Sequence, residues 1–168
     1  MNTPAIRIAT TADFASIREV VYEVWPIAYR DMISQEQIRY MLDMMYSDES
    51  LQKQMVEEGC TFLVYEGDSS ILGFASYSAI ENKFYKLHKL YVYTTSQGKG
   101  IGKALLDEVK KRVAAHGGRA IELQVNKKNI AQHFYLKQGF RIDRELVLDI
   151  GNGFVMDDYI MRWSIVNG

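Results

Sequence analysis

The sequence predicts one α/β domain built on a mixed, mostly antiparallel sheet flanked by helices. Three observations predict it. The chain has 168 residues, close to the roughly 150 that a single domain occupies, and no linker, repeat or low-complexity stretch divides it. Its apolar pattern switches between helical and strand period several times along the chain. Three successive strand-like stretches, 60–66, 71–80 and 84–93, have connections too short for a crossover helix, so they lie side by side as an antiparallel meander.

Taken in order, residues 5–9 form a short strand. Thr10 with Asp13 three residues on is a capping box, opening a helix with Phe14, Ile17, Val20, Val21 and Val24 on one stripe; Pro26 is expected to end or bend it. Ser34 with Gln37 starts a second helix carrying Ile38, Met41, Leu42 and Met45, and 48–58 reads as a third, closed by Gly59. After the meander, 98–116 is a long amphipathic helix with Ile101, Leu105, Val109 and Val113 on one side, ended by Gly117 and Gly118. Residues 119–125 are a strand and 126–137 a helix that leaves through Gly139. Two last strands, 141–148 and 154–165, are joined by a turn at 149–153.

Twenty Lys and Arg against 21 Asp and Glu leave a formal charge of −1, which argues against the broad positive field of a nucleic-acid binder. The single cysteine, Cys60, offers neither an internal disulfide nor a multi-thiolate metal site, and no metal is expected. Arg7, Asp13, Arg18 and Glu19 interrupt the first twenty residues, and no apolar run reaches the roughly 18 residues of a membrane span. The expectation is a cytoplasmic protein without a secretory leader or membrane partner.

The chemistry concentrates in LYVYTTSQGKGIGKALLDEV, where an apolar strand passes through a glycine-rich turn into a helix. Glycines admit a ligand to the backbone, the first helical N–H groups lack internal acceptors, and the helix dipole adds positive potential, so the expected ligand is a phosphate or pyrophosphate. Lys99 and Lys103 add charge. A Walker A loop does not fit, because Gln97 and Ala104 stand where glycine and a magnesium-binding hydroxyl belong; a dinucleotide fingerprint fails at Lys103.

Gln97, Gly100 and Gly102 match the pattern Q/R-x-x-G-x-G/A, and the segment resembles the acetyl-coenzyme A loop of the GCN5-related N-acetyltransferase (GNAT) family. Leu90-Tyr91-Val92 occupies the place of the family's preceding strand. Asn129-Ile130-Ala131 and then Phe134-Tyr135-Leu136-Lys137-Gln138-Gly139-Phe140 resemble its second block, in the same order. The resemblance covers about residues 60–148. It implies a GNAT-like acyl-CoA N-acyltransferase fold over one domain, 1–168. It also implies acetyl-CoA as acyl donor and direct attack, within a ternary complex, by a primary amine of a small molecule or peptide.

The resemblance further assigns roles. Leu90, Tyr91 and Val92 pair through their backbone with the pantetheine arm, and the Val92 amide is the oxyanion donor. Amides of Gln97, Gly98, Lys99, Gly100, Ile101, Gly102 and Lys103 hold the pyrophosphate, Asn129 bonds the pantetheine, and Tyr135 points its hydroxyl at the sulfur. The amine must lose a proton before it attacks. Strand alternation puts Lys86, His88, Leu90 and Val92 on one face, which makes His88 the candidate base; a strand histidine without a catalytic role is the competing reading.

In the first third, Tyr22, Trp25, Tyr29, Tyr40, Met41, Met44 and Met45 read mainly as core. The resemblance makes this region a wall of the acceptor site, with Asp31, Glu36 or Asp43 supplying charge to an amine. The stretch WPIAYRDMIS resembles the polyamine-acetylating branch. Cys60 is expected to pack, His116 to cap a helix end and His133 to lie at the surface. Three alternatives stay open: a non-catalytic CoA-binding sensor, a different acyl donor, and a different acceptor. A homodimer through 154–165 is a further expectation.

Overall fold

The computed structural model describes residues 5–165. The elements run β1 (Ala5–Ile8), α1 (Phe14–Ala28), α2 (Gln35–Tyr46), α3 (Asp48–Val56), β2 (Thr61–Glu66), β3 (Ile71–Ala79) and β4 (Phe84–Val92). They continue with α4 (Ile101–Ala115), β5 (Ala120–Asn126), α5 (Ala131–Lys137), β6 (Arg141–Gly151) and β7 (Phe154–Ser164). The strands make one seven-stranded sheet in the order β1-β2-β3-β4-β5-β7-β6. Among the described strands only β4 and β5 pair parallel, across the crossover that α4 provides.

Local chemistry explains most boundaries. Thr10 and Asp13 form the expected capping box, first over a 3-10 turn that runs into α1, and Ser34 accepts the Gln37 amide to open α2. Pro26 does not end α1, which runs on to Ala28. The proline sits near the C-terminus, where it deprives only the carbonyl of solvent-facing Tyr22 of its donor. The helix expected from residue 98 begins at Ile101, because Gly98 and Gly100 hold φ of +82° and +80°. The helix expected from 126 begins at Ala131. Before it, Asn126 Oδ1 and Asn129 Oδ1 accept from the amides of Lys128 and Ala131, and these side-chain bonds compete with helix.

Each face of the sheet carries its own core. α1, α2 and α3 cover one face through Ile17, Trp25, Ile38 and Tyr46 against Phe62, Val64 and Phe74. α4 covers the other through Leu105, Leu106, Val109 and Val113 against Leu63, Ala75, Ile121 and Leu123. Full burial of such an aliphatic side chain contributes roughly 1.5–3 kcal/mol. β7 lies between β5 and β6 and has no free edge, so a second copy cannot extend the sheet at 154–164; the edge on that side belongs to β6.

Two features of β4 open a cleft. Its pairing with β5 ends at Leu87↔Leu123 while both strands continue, so they diverge beyond that point. Its pairing with β3 shifts register between Ser76↔Lys89 and Tyr77↔Leu87, which leaves His88 as the extra residue of a bulge.

Candidate active site

The bulge changes which residues share a face. Tyr85 and Leu87 pack with the α4 core, as do Leu90 and Val92 beyond the bulge, whereas Lys89 and Tyr91 turn toward α2 and α3. Strict alternation from Lys86 through His88 to Leu90 and Val92 therefore does not hold, because the strand slips by one residue at His88. The His88 ring lines the cleft and its Nε2 lies 2.7 Å from Ser78 Oγ. Burial, with Lys89 and Lys86 adding to it, pulls its pKa down to about 4, so the ring is neutral at pH 7.

Beyond the bulge the backbone of β4 faces the opening. The Tyr93 amide donates to Leu72 O, so with Gly73↔Val92 and Ala75↔Leu90 as the intervening pairs, the N–H and C=O groups of Leu90 and Val92 point away from β3. β5 has already diverged there. The Gln97 side chain ties the following turn back by donating from Nε2 to Val92 O at 3.1 Å. Glu23 anchors the same turn from α1, accepting from the Thr94 amide at 3.0 Å and from its hydroxyl at 2.8 Å.

The turn then presents its amides to solvent. Among the described residues, no backbone N–H from Gly98 to Lys103 donates to a protein acceptor, and a Cβ built on Gly98 or Gly100 meets nothing within 4 Å. Positive φ at these two glycines aims consecutive amides outward at the N-terminus of α4. Gly102 is less constrained, since a Cβ there makes ordinary contact with Phe134 Cζ at 3.8 Å and Val92 Cγ2 at 3.9 Å. Lys99 is exposed, while Lys103 is engaged by Asp107 at 2.7 Å. Open space, unpartnered donors and a helix dipole together fit a diphosphate.

Tyr135, on α5, stands edge-on to Phe134 and Phe140, with ring centroids 5.3 and 5.7 Å away, and its ring lines the cleft. Burial pushes its pKa well up, so the phenol stays protonated. Asn129 lines the same cleft, with its Oδ1 already used by the Ala131 amide. The cleft is a cavity of about 470 Å³ that passes from the β4–β5 opening to a chamber under α1 and α2. Tyr29 and Tyr91 bridge it with hydroxyls 3.0 Å apart.

In the first third, Trp25, Tyr29, Met41, Met44 and Met45 line the chamber, but Tyr22, Asp31, Glu36 and Asp43 do not. Tyr22 donates to Asp43 on the exposed surface at 3.1 Å. The acid that does line it is Asp158, on β7, which the motifs did not single out. A strand signal was available: Met156, Asp158 and Ile160 alternate against Val155, Asp157 and Tyr159, placing Asp158 in the inward register.

The remaining candidates have local roles. Cys60 is buried, and desolvation raises its thiol pKa. His116 Nδ1 lies 2.8 Å from Arg112 O at the end of α4, and His133 is exposed. Lys89 is also buried, with Nζ 2.8 Å from Gln54 Oε1 and over the rings of Tyr46 and Phe62, so it contributes nothing to a basic surface. Among the described residues there is no cluster of three His, Cys, Asp or Glu arranged to hold a metal, and no helix is long and apolar enough to cross a membrane.

The whole chain has solved counterparts. The PaiA N-acetyltransferase of Thermoplasma acidophilum, in complex with coenzyme A, is 28% identical, with a TM-score of 0.83 over 98% of this chain and 100% of that one. A GCN5-related N-acetyltransferase from Rhodopseudomonas palustris shares the fold at 22% identity, with a TM-score of 0.82 and 98% of each chain covered. The ribosomal-protein-S18-alanine N-acetyltransferase of Escherichia coli shares it at 16%, with a TM-score of 0.74 over 99% of this chain and 96% of that one. No curated protein matches. The acetyltransferase (GNAT) domain family matches residues 29–156, and with the glycine turn before α4, the diverging β4–β5 pair and the full-length fold in agreement, the chain belongs to the GNAT acetyltransferase family.

Proposed function

We propose that the chain is an acetyl-CoA-dependent N-acetyltransferase that passes the acetyl group directly to a primary amine of a small molecule or peptide. The observation that carries this reading is the run of unpartnered amides from Gly98 to Lys103, beside backbone groups of Leu90 and Val92 that face the cleft without a neighbouring strand. Family membership supplies the chemical class.

In this reading the amides of Gly98, Lys99, Gly100, Ile101, Gly102 and Lys103 cradle the pyrophosphate, while Gln97, whose own amide donates to Thr94 O, braces the turn through its side chain on Val92 O. Leu90 and Val92 face the pantetheine as an added strand, Tyr91, whose backbone groups face β3, only lines the cleft, and Asn129 offers its remaining side-chain N–H donors. When bound, the donor supplies an activated acyl carbonyl and a sulfur that must leave with an electron pair. Tyr135 meets that requirement from the chain's side: a protonated phenol held in a desolvated wall donates a hydrogen bond or a proton where thiolate charge builds. The Val92 amide, facing the opening, is the donor available to the acyl oxygen. His88 acts as a relay rather than a proton store, since a neutral imidazole bonded to Ser78 takes a proton on one nitrogen as it releases one from the other.

Tyr135 favours catalysis over a sensor, because a module that only bound coenzyme A would have no use for an unpartnered phenol in the cleft. The test is release of free thiol from acetyl-CoA against a panel of primary amines and alcohols. Turnover restricted to amines is expected; turnover restricted to alcohols, or tight coenzyme binding with no turnover for any acceptor, overturns the reading.

A further inference from the structure

Asp158 is an anomaly for a protein core. It lies on β7, opposite Asn126 of β5 and Leu146 of β6, in the interior of the sheet. Its neighbours Tyr159 and Met161 pack with the α4 core, so Asp158 turns to the other face, toward the chamber under α1 and α2. It is fully buried. Oδ2 accepts from Gln124 Nε2 at 2.8 Å, while Oδ1 has no partner among the described residues.

Neighbouring acids are treated differently. Glu122, also buried and two residues before Gln124 on β5, is held by Arg162 and, at 3.3 Å, by Arg144. Asp157 is paired with Lys127 at 2.9 Å. A buried carboxylate without such a partner is destabilising, and an apolar side chain in its place would be more stable. Burial raises the Asp158 pKa, and the phenol of Tyr29 across the chamber is made less acidic in part by this same carboxylate.

The chamber explains what the carboxylate awaits. Asp158 is the only acid among the residues that line it, and the surrounding wall is largely apolar, formed by Ile33, Met41, Met44, Leu148, Ile150 and Met156. Two lysines line it: Lys89 has its ammonium on Gln54, and Lys86, on β4 opposite Glu122 of β5, forms no ion pair with Asp158. An apolar sleeve ending in one unpartnered carboxylate is complementary to an alkyl chain ending in an ammonium group.

We infer that Asp158 docks the ammonium group of the acceptor, so that the chamber selects primary alkylamines with an apolar stem, charged at neutral pH, over amines that are already neutral. The inference rests on the N-acetyltransferase reading. The protein retains a destabilising buried charge because the acceptor's cation completes it, a trade of stability for function.

The test compares wild type with Asp158→Asn, which keeps the Gln124 bond and removes the charge. The acceptors are a primary alkylamine with an apolar stem and an arylamine that is neutral at the assay pH. The variant is expected to lose at least about 100-fold in kcat/KM for the alkylamine and less than about threefold for the arylamine. Its coenzyme A affinity stays unchanged and its Tm no lower than wild type. Equal losses for both acceptors, or no loss for either, overturn the inference while leaving the acetyltransferase reading intact; failure of wild type on every amine sinks that reading instead. A second measurement needs no variant. The same apolar stem bearing a trimethylammonium group should compete with the acceptor at least about tenfold better than its neutral tert-butyl isostere; equal inhibition contradicts the inference.

Discussion

Helix α4 begins after Gly98 and Gly100 and ends at Gly117 and Gly118, and its two ends differ in what their backbone amides and neighbours do. At the start, the space that a side chain would fill is empty and the backbone amides have no acceptor. At the end, Gly117 makes the left-handed exit at φ +77°, and a Cβ on Gly118 would lie 2.4 Å from Val113 Cγ1 and 2.9 Å from Val113 O. Gly98, Gly100 and Gly117 all hold positive φ with open space around them, and only Gly118 is glycine because neighbours fill the space; what sets the N-terminal end apart is its run of amides without an acceptor. A run of unpartnered amides at a helix N-terminus, beside a strand whose cleft-facing backbone has no neighbouring strand, leaves room for a ligand.

Substitutions on the two sides should therefore separate binding from stability. The largest effect is expected for Gly100→Val. A β-branched residue resists φ +80° and would turn the amides away, so coenzyme A affinity measured by calorimetry should fall about 1,000-fold, or about 4 kcal/mol. The Tm should drop only slightly, because the position is exposed. A variant that binds normally breaks the comparison.

The packed side of the sheet gives the next effect. Burial pulls the Lys89 pKa down to about 8 from the ordinary 10.5. Between those values the unfolded chain binds the proton that the folded chain has released, so stability rises with pH through this window. Urea unfolding should give wild type about 3 kcal/mol more stability at pH 10.5 than at pH 7.5 relative to Lys89→Met. A pH-independent difference would mean that Lys89 is not desolvated.

Tyr135→Phe returns the question to the open side. It should lower kcat about 100-fold while leaving coenzyme A affinity and Tm near wild type; an unchanged kcat removes the phenol from the chemistry. The smallest effect is Gly118→Ala, which should cost about 2 kcal/mol of stability through overpacking, with kcat and coenzyme affinity of the folded protein unchanged. Loss of coenzyme binding in that variant would erase the distinction between the two ends.

What the sequence revealed followed the range of the forces involved. Capping by Thr10, Asp13 and Ser34, the glycine turn and the order of strands are local patterns, and each was legible. The bulge at His88 was not, because it arises from how β4 registers against β3 more than ten residues away, and alternation inside one strand carries no record of it. Helix α5 is shorter than the expected 126–137, because the side-chain bonds of Asn126 and Asn129 hold the residues before Ala131 out of the helix. Asp158 belongs to no motif that the sequence offers. Its inward register was present in the alternation of β7, but which of two adjacent acids lacks a partner depends on Lys127, Gln124 and the chamber beyond.

The central claim is that the N-terminal turn of α4 holds the diphosphate of the acyl donor. A crystal structure with coenzyme A tests it most directly. The account predicts pyrophosphate oxygens within hydrogen-bond distance of the amides between Gly98 and Lys103, with the pantetheine running along Leu90, Tyr91 and Val92 toward Tyr135. A pyrophosphate seated anywhere else on the protein would contradict it.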